Sequence, residues 1–227
     1  VAFAEEAIIN GAVVKLRTTI TKVVEENNLY IVTLSNGETI QTKWIINSAG
    51  AGYNEVSCVL GTEEYPIQYR RGEYFVLDKG NLKYCTHTIF PLPTKESKGI
   101  LITNTASGNI LVGPTSYISD TSTLTTKNGL NEVRQKALAE MPALPLKANI
   151  RVFSGVRSVV GDDFIIERSK KKTNVINLAG ICSPGLSSAP AIAEMVAELI
   201  GLDTKKEMSK LKVLPKKVRV KDLPIEK

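Results

Sequence analysis

The chain has 227 residues, 43% of them hydrophobic, with a formal net charge of +6 and a sequence pI of about 9.1. This length can bury one good core or two small ones, and no apolar run nears the roughly 20 residues of a bilayer span, which excludes an integral helical membrane protein and points to a cytoplasmic one, with peripheral membrane contact left open. Nine basic and three acidic residues lie between Lys205 and Lys227, whereas the 20 basic and 20 acidic residues of Val1 to Thr204 cancel; with no aromatic residue among its lysines, the tail reads as a solvated connector, and no nucleic-acid binding is expected.

In chain order, Val1 to Gly11 reads as a helix with Phe3, Ala4, Ala7 and Ile8 on one face. A chain that starts inside a helix, without a methionine, reads as part of a longer protein. Val13 to Leu16 predicts a short strand, and Ile20 to Val24 with Leu29 to Leu34 a hairpin turning through Glu26-Asn27-Asn28. Asn36-Gly37 turns the chain into Glu38 to Ile40. Trp44 to Ile46 is then an apolar strand that runs into Asn47-Ser48-Ala49-Gly50-Ala51-Gly52.

From Tyr65 to Thr115 the pattern is strands: Tyr74 to Leu77, Thr86 to Phe90, Gly99 to Thr103 and Asn109 to Val112. A helix is expected from about Lys127 to Met141, followed by strands at Ile150 to Ser154 and Phe164 to Glu167. Asp162-Asp163 and Lys170-Lys171-Lys172 read as turns. Cys58, Cys85 and Cys182 are widely spaced and form no C-x-x-C, so neither a disulfide framework nor a thiolate metal site is expected.

The most telling stretch is Asn174 to Ile200, where a strand reaches Ala179-Gly180, breaks into a Gly/Ser/Pro loop and re-emerges as a helix with Ile192, Met195, Val196, Leu199 and Ile200 on one face. Ser187 or Ser188 is expected to cap it, with Pro190 in the first turn. Its positive dipole end then faces a wall of bare backbone at Gly180 and Gly185, where an electron-rich group can rest. Small residues after a strand also serve simple packing, and Asn47 to Gly52 taken alone fits either role.

These segments carry a resemblance. NVINLAGICSPGLSSAPAIAEMVAELI, WIINSAGAGYNEVS, RRGEYFVLDK, HTIFPLPT, GILITNTASGNILVGPT and SGVRSVVGDDFII together resemble the FAD-dependent amine and hydroxy-acid oxidoreductases (the DAO superfamily) over nearly all of Val1 to Thr204, in particular the anaerobic-type glycerol-3-phosphate dehydrogenases and the L-2-hydroxyglutarate dehydrogenases. The resemblance implies an α/β fold of α+β character: an incomplete FAD-binding layered domain at residues 1–60 and 150–204, an inserted antiparallel substrate-binding sheet at 61–149, and a basic connector at 205–227.

It implies that Ala49, Gly50, Ala51, Gly180, Ser183, Gly185, Leu186, Ser187 and Ser188 wall the flavin ring. It also implies that Arg157 grips the anionic end of the substrate, where the residue by itself also fits a solvated strand arginine. Arg71 and Glu73 are expected at the substrate or on an exposed edge, and His87, the single histidine, as a base, a substrate ligand or a structural residue. The G-x-G-x-x-G loop that holds the FAD pyrophosphate in such enzymes has no match, so little or no FAD binding by this stretch alone is expected. The function implied is oxidation of sn-glycerol 3-phosphate to dihydroxyacetone phosphate by hydride transfer to flavin N5, with electrons passed to an acceptor module or protein. L-2-hydroxyglutarate oxidation, or a non-catalytic interaction domain, is the alternative.

Overall fold

The computed structural model describes residues 2–80, 84–92, 99–202 and 211–213. The chain divides into two compact units: one of the residues up to Lys43 with the described residues from Pro190 on, the other from Trp44 to Ala189. These divisions lie at other residues than the boundaries near 60 and 150 that the resemblance implies. Most of the basic connector lies outside the described residues, and none of the described helices is long and apolar enough to cross a membrane.

The first unit opens with α1 (Ala2–Ile9), in which no residue is buried, the expected apolar face included. Val13 to Leu16 is not a strand: no strand among the described residues pairs with it, and Val13 and Leu16 are each 81% exposed. A sheet follows in the order β1 (Ile20–Glu26), β2 (Leu29–Leu34), β3 (Thr39–Thr42), all antiparallel. The hairpin turn holds Asn27 and Asn28 at φ 51° and 63°, the left-handed pair that matches strand twist and that asparagine tolerates. Alternation along β2 buries Tyr30, Val32 and Leu34.

In the second unit β4 (Ile45–Asn47) leads through a short turn to α2 (Tyr53–Leu60). Then come β5 (Gln68–Leu77), β6 (Leu101–Asn104), β7 (Ile110–Gly113), β8 (Tyr117–Ile118), α3 (Lys127–Glu140), β9 (Asn149–Val159), β10 (Ile165–Arg168) and β11 (Val175–Ala179). The helix α4 (Gly185–Ile200) starts here and continues past the division at Pro190. Three strands form a small sheet, β10-β11-β4, in which buried β11 runs parallel to β4 with Asn177 opposite Asn47. The larger sheet runs β6-β7-β5-β8, and β9 pairs along the other edge of β5 from Gln68↔Val159 to Leu77↔Asn149. Thus the antiparallel sheet extends to Val159 and takes in Arg157. The strand expected at Thr86 to Phe90 shrinks to one bridge, Ile89↔Ile102, just before Pro91, which has no N–H to continue a ladder.

One face of β5 carries Phe75 and Leu77 into the main core, where they meet Ile102, Ile110 and Val112 of the sheet and Val133 and Ala137 of α3. Fully buried Glu73 lies on the same face. Its Oε1 accepts from the backbone N and the hydroxyl of Thr126 at 3.1 and 2.9 Å, while the Thr126 hydroxyl accepts from Gly129 N at 3.0 Å and caps α3. A carboxylate here meets the positive end of the helix. Gly129 leaves room for it, because a Cβ at that position would overlap the carboxylate.

A second carboxylate ties the segment between α2 and β5 to the small sheet. Glu63, between α2 and β5, accepts from the backbone N of Lys170 and Lys171 at 2.7 and 3.0 Å, and from the amide of fully buried Asn177 at 2.7 Å. Burial pushes its carboxyl up, but hydrogen bonds from Ser169, its own backbone, Asn177 and Lys170 outweigh that and hold it down at about 2. The lysine turn is therefore anchored, not merely solvated.

Two outcomes follow from these carboxylates. Gly129→Ala, which on an open helix would stabilise by about 1 kcal/mol, should destabilise by about 1–3 kcal/mol in chemical denaturation because it collides with Glu73. A depressed Glu63 carboxyl contributes stability above its unfolded value near 4.3 and loses it as pH falls through about 2. Glu63→Ala should flatten that acid dependence and cost about 1–3 kcal/mol at neutral pH by stranding the Asn177 amide; an unchanged profile of melting temperature against pH would contradict it.

Candidate active site

The loop between β11 and α4 forms one wall of a cavity of about 550 Å³, lined by Ile181, Cys182, Ser183, Pro184, Leu186 and Ser187. Gly50 and Ala51 form a second wall and Val156 to Ser158 of β9 a third. A smaller hollow of about 270 Å³ adjoins it, sharing Cys182 to Pro184 and bounded by Val159 to Phe164 and Gly180. Gly180 turns the chain out of β11 at φ 68°, with Val160 N 3.0 Å from where a Cβ would lie, a place for glycine on both counts.

The helix starts earlier than the expected serine cap. Gly185 N donates to Cys182 O at 2.5 Å and Ser188 N to Pro184 O at 3.1 Å, so helical bonding already begins from Pro184. Ser187 and Ser188 lie inside α4, the Ser187 hydroxyl donating to Pro184 O at 2.9 Å, and Pro190 sits in the second turn. The amides of Leu186 and Ser187, both in the cavity wall, meet no protein acceptor among the described residues, and no acidic side chain occupies the first turn. Two free donors at the positive end of a 16-residue helix suit an electron-rich edge, and bare backbone at Gly50, Ala51 and Ser183 suits the face of a flat ring. The residues present fit the ring portion of a flavin.

The opposite wall is held by buried amides. Asn47, 2% exposed, donates to Tyr53 O at 3.1 Å and to the Ser57 hydroxyl at 3.0 Å, and its Oδ1 accepts from Ala49 N at 3.2 Å. The Tyr69 hydroxyl donates to Ala51 O at 3.0 Å, tying this loop to β5. The sequence reading included Asn47 only as the start of the Asn47-to-Gly52 stretch, without this role, and did not single out Tyr69. The available signal was a polar residue closing an otherwise apolar strand, with Asn177 as its counterpart in the next.

Arg157 belongs to the cavity wall and to the uncovered face of the β5–β9 pair. Its register partner is Arg70, and paired residues share a face, so Arg70, Gly72 and Tyr74 lie on that side with Arg157, Gly155 and Phe153. The Arg157 guanidinium crosses β5 above Gly72 and donates to Thr115 O at 2.9 Å. A Cβ on Gly72 would lie 3.2 Å from Arg157 Nη2 and 2.8 Å from Pro114 Cβ, so the missing side chain opens this path. Tyr74 and Phe153 stack at 4.9 Å with an interplanar angle of 7°. Burial raises the Tyr74 phenol above its ordinary value and the Arg157 charge only partly offsets this, so it stays a neutral phenol at neutral pH.

Of the residues expected from the sequence, Gly50, Ala51, Arg157, Ser183, Leu186 and Ser187 line the one cavity, and Gly180 lines its neighbour. Ala49, Gly185 and Ser188 flank the lining residues in the chain. Arg71 and Glu73 lie on the other face of β5: Arg71 pairs with Asp120 at 2.9 Å and Glu73 holds Thr126, the cap of α3, a correction that follows from strand alternation. His87 is exposed, its Nδ1 3.0 Å from the Thr86 hydroxyl, and is not part of the cavity lining.

Comparison with known proteins agrees with this geometry. The family model described as FAD dependent oxidoreductase (DAO) matches residues 1–199. A glycerol 3-phosphate dehydrogenase of Caloramator mitchellensis is 38% identical over 88% of this chain and 42% of its own length. A glycerol 3-phosphate oxidase of Mycoplasma genitalium is 31% identical over 88% of this chain and 54% of its own. The solved structure of the dithionite-reduced, FAD-bound L-alpha-glycerophosphate oxidase of Mycoplasma pneumoniae superposes with a TM-score of 0.80 at 26% identity, covering 88% of this chain and 54% of that one. The chain thus spans about half the length of the relatives it matches. With the match extending over most of its residues and the ring-sized cavity at the start of α4, the chain belongs to the FAD dependent oxidoreductase family.

Proposed function

We propose that this chain supplies the flavin-ring wall and the substrate sheet of an FAD-dependent dehydrogenase that oxidises sn-glycerol 3-phosphate at its C2 carbinol to dihydroxyacetone phosphate. The observation that carries the reading is that an arginine suited to anions and two free helix-start amides border the same cavity. When bound, FAD supplies the acceptor for the carbinol hydride. The Leu186 and Ser187 amides would hold an electron-rich edge of the ring, and donors at a helix start would raise its affinity for electrons. The Arg157 fork, oriented from behind by Thr115 O, keeps its remaining donors for the substrate anion. The similarity to glycerol 3-phosphate dehydrogenases and oxidases supports phosphate as that anion.

The test is dye reduction by the full-length flavoprotein with glycerol 3-phosphate and with L-2-hydroxyglutarate. Turnover with the phosphorylated alcohol is expected, and turnover with the hydroxy acid alone would overturn the substrate assignment. Arg157→Ala should raise KM by one to two orders of magnitude, in keeping with loss of a charge-assisted hydrogen bond. Gly72→Ala should have the same sign without removing any functional group, because its methyl group blocks the path of the guanidinium over β5, and it should cost about 1–3 kcal/mol of stability. Wild-type KM in Gly72→Ala would separate Arg157 from the site.

A further inference from the structure

We infer that Arg70 is a specificity residue, and that with Arg157 it forms a two-arginine clamp for a dianionic phosphate, selecting against a single carboxylate; this rests on the reading above that a small anion lies beside Arg157. The two arginines are directly opposed in the β5–β9 register and therefore share one face. Among the described residues neither meets a carboxylate. Arg70 Nε donates to the neutral Gln68 Oε1 at 2.9 Å, as Arg157 Nη2 does to the Thr115 carbonyl. These contacts orient the two forks without neutralising them. The adjacent Arg71, on the other face, is neutralised by Asp120. The charge left uncompensated is thus confined to the face on which Arg157 lies.

Like charges placed directly opposite one another on a sheet are unfavourable, and an anion between them relieves that. One carboxylate carries a single charge and two oxygens, which one guanidinium fork saturates. A phosphate monoester carries close to two charges and three terminal oxygens above its second pKa near 6, enough for both forks. The next register pair on this face is Gly72↔Gly155, and the one after it is the stacked Tyr74↔Phe153. Nothing lies within 4 Å of where a Cβ on Gly155 would be. Past the arginines this face is covered at Gly72, where Pro114 and the Arg157 guanidinium close over the backbone, and open at Gly155; the aromatic pair stands two pairs on from Arg70, roughly 13 Å along the strand at about 3.4 Å per residue, and Arg151, opposite Val76, lies beyond it. A phosphate at the arginine end leaves the rest of a small molecule the open space over Gly155.

The experiment is calorimetric titration of the full-length holoprotein at pH 8 and low salt with inorganic phosphate and, separately, acetate, which reads binding without requiring turnover. Arg70→Gln should weaken phosphate at least tenfold and acetate less than twofold, Arg157→Gln should weaken both, and Arg70→Lys, which keeps the charge but loses the fork, should fall between wild type and Arg70→Gln for phosphate. Wild-type phosphate affinity should also fall several-fold from pH 8 to pH 5.5, as the second charge is lost. Equal losses for phosphate and acetate in Arg70→Gln, or no loss for either, would overturn the clamp. Arg70-dependent phosphate binding in a protein that does not oxidise glycerol 3-phosphate would keep the clamp and remove the substrate assignment, so the two readings fail separately.

Discussion

Strand β5 faces two different environments, and the alternation of its side chains divides the labour of the second unit. One face sends Phe75 and Leu77 into the core and Glu73 to the start of α3, and puts Arg71 against Asp120. The other presents Arg70, Gly72 and Tyr74 beside Arg157, Gly155 and Phe153. A one-residue slip of β5 would exchange its two sets, burying the uncompensated Arg70 and exposing the core residues. The long pairing with β9 and the shorter one with β7 hold that register, so the chemistry of the outer face is secured by the packing of the covered one.

Absent side chains matter here as much as those present. Gly72 allows a guanidinium to lie flat across a strand and find its carbonyl on the far side, and Gly129 allows a carboxylate to sit at a helix start. In each case a charged group comes close to backbone that a methyl group would cover. The same economy shapes the cavity, where Gly50, Ala51 and the α4 start offer backbone and free amides. Two buried amides, Asn47 and Asn177, then hold the loops that carry these groups: Asn47 orders the turn into α2, and Asn177 with Glu63 fixes the turn between β10 and β11. Buried amides tolerate few alternative geometries, because each unmade hydrogen bond costs as much as a poor packing choice.

Much of the fold was legible along the chain. The Asn27-Asn28 hairpin, α3 with its stop before Pro142, and the buried strand that breaks at Gly180 each carry a local signal: left-handed asparagines, a capped amphipathic run, and an apolar stretch ended by small residues. The loop residues Ser183, Leu186 and Ser187, which line the cavity, came from the resemblance and not from a local signal. Local signals failed where pairing decides. Val13 to Leu16 has strand composition and no partner among the described residues, and Thr86 to Phe90 keeps a single bridge.

In the sequence alone, Arg70-Arg71-Gly72-Glu73-Tyr74 offers a charged residue to either face, so Arg71 and Glu73 were as plausible at the site as Arg70 and Tyr74. What the sequence by itself determined was most of the helices and strands and the strand-loop-helix from Val175 to Ile200, because backbone propensity and period are properties of neighbours along the chain. Only the tertiary structure decided which of three arginines share a face, that Asn47 and Asn177 hold the loops, and that His87 stays outside the cavity lining. Register and burial are set by segments as far apart as β5 and β9, and no local pattern encodes a partner some 80 residues away.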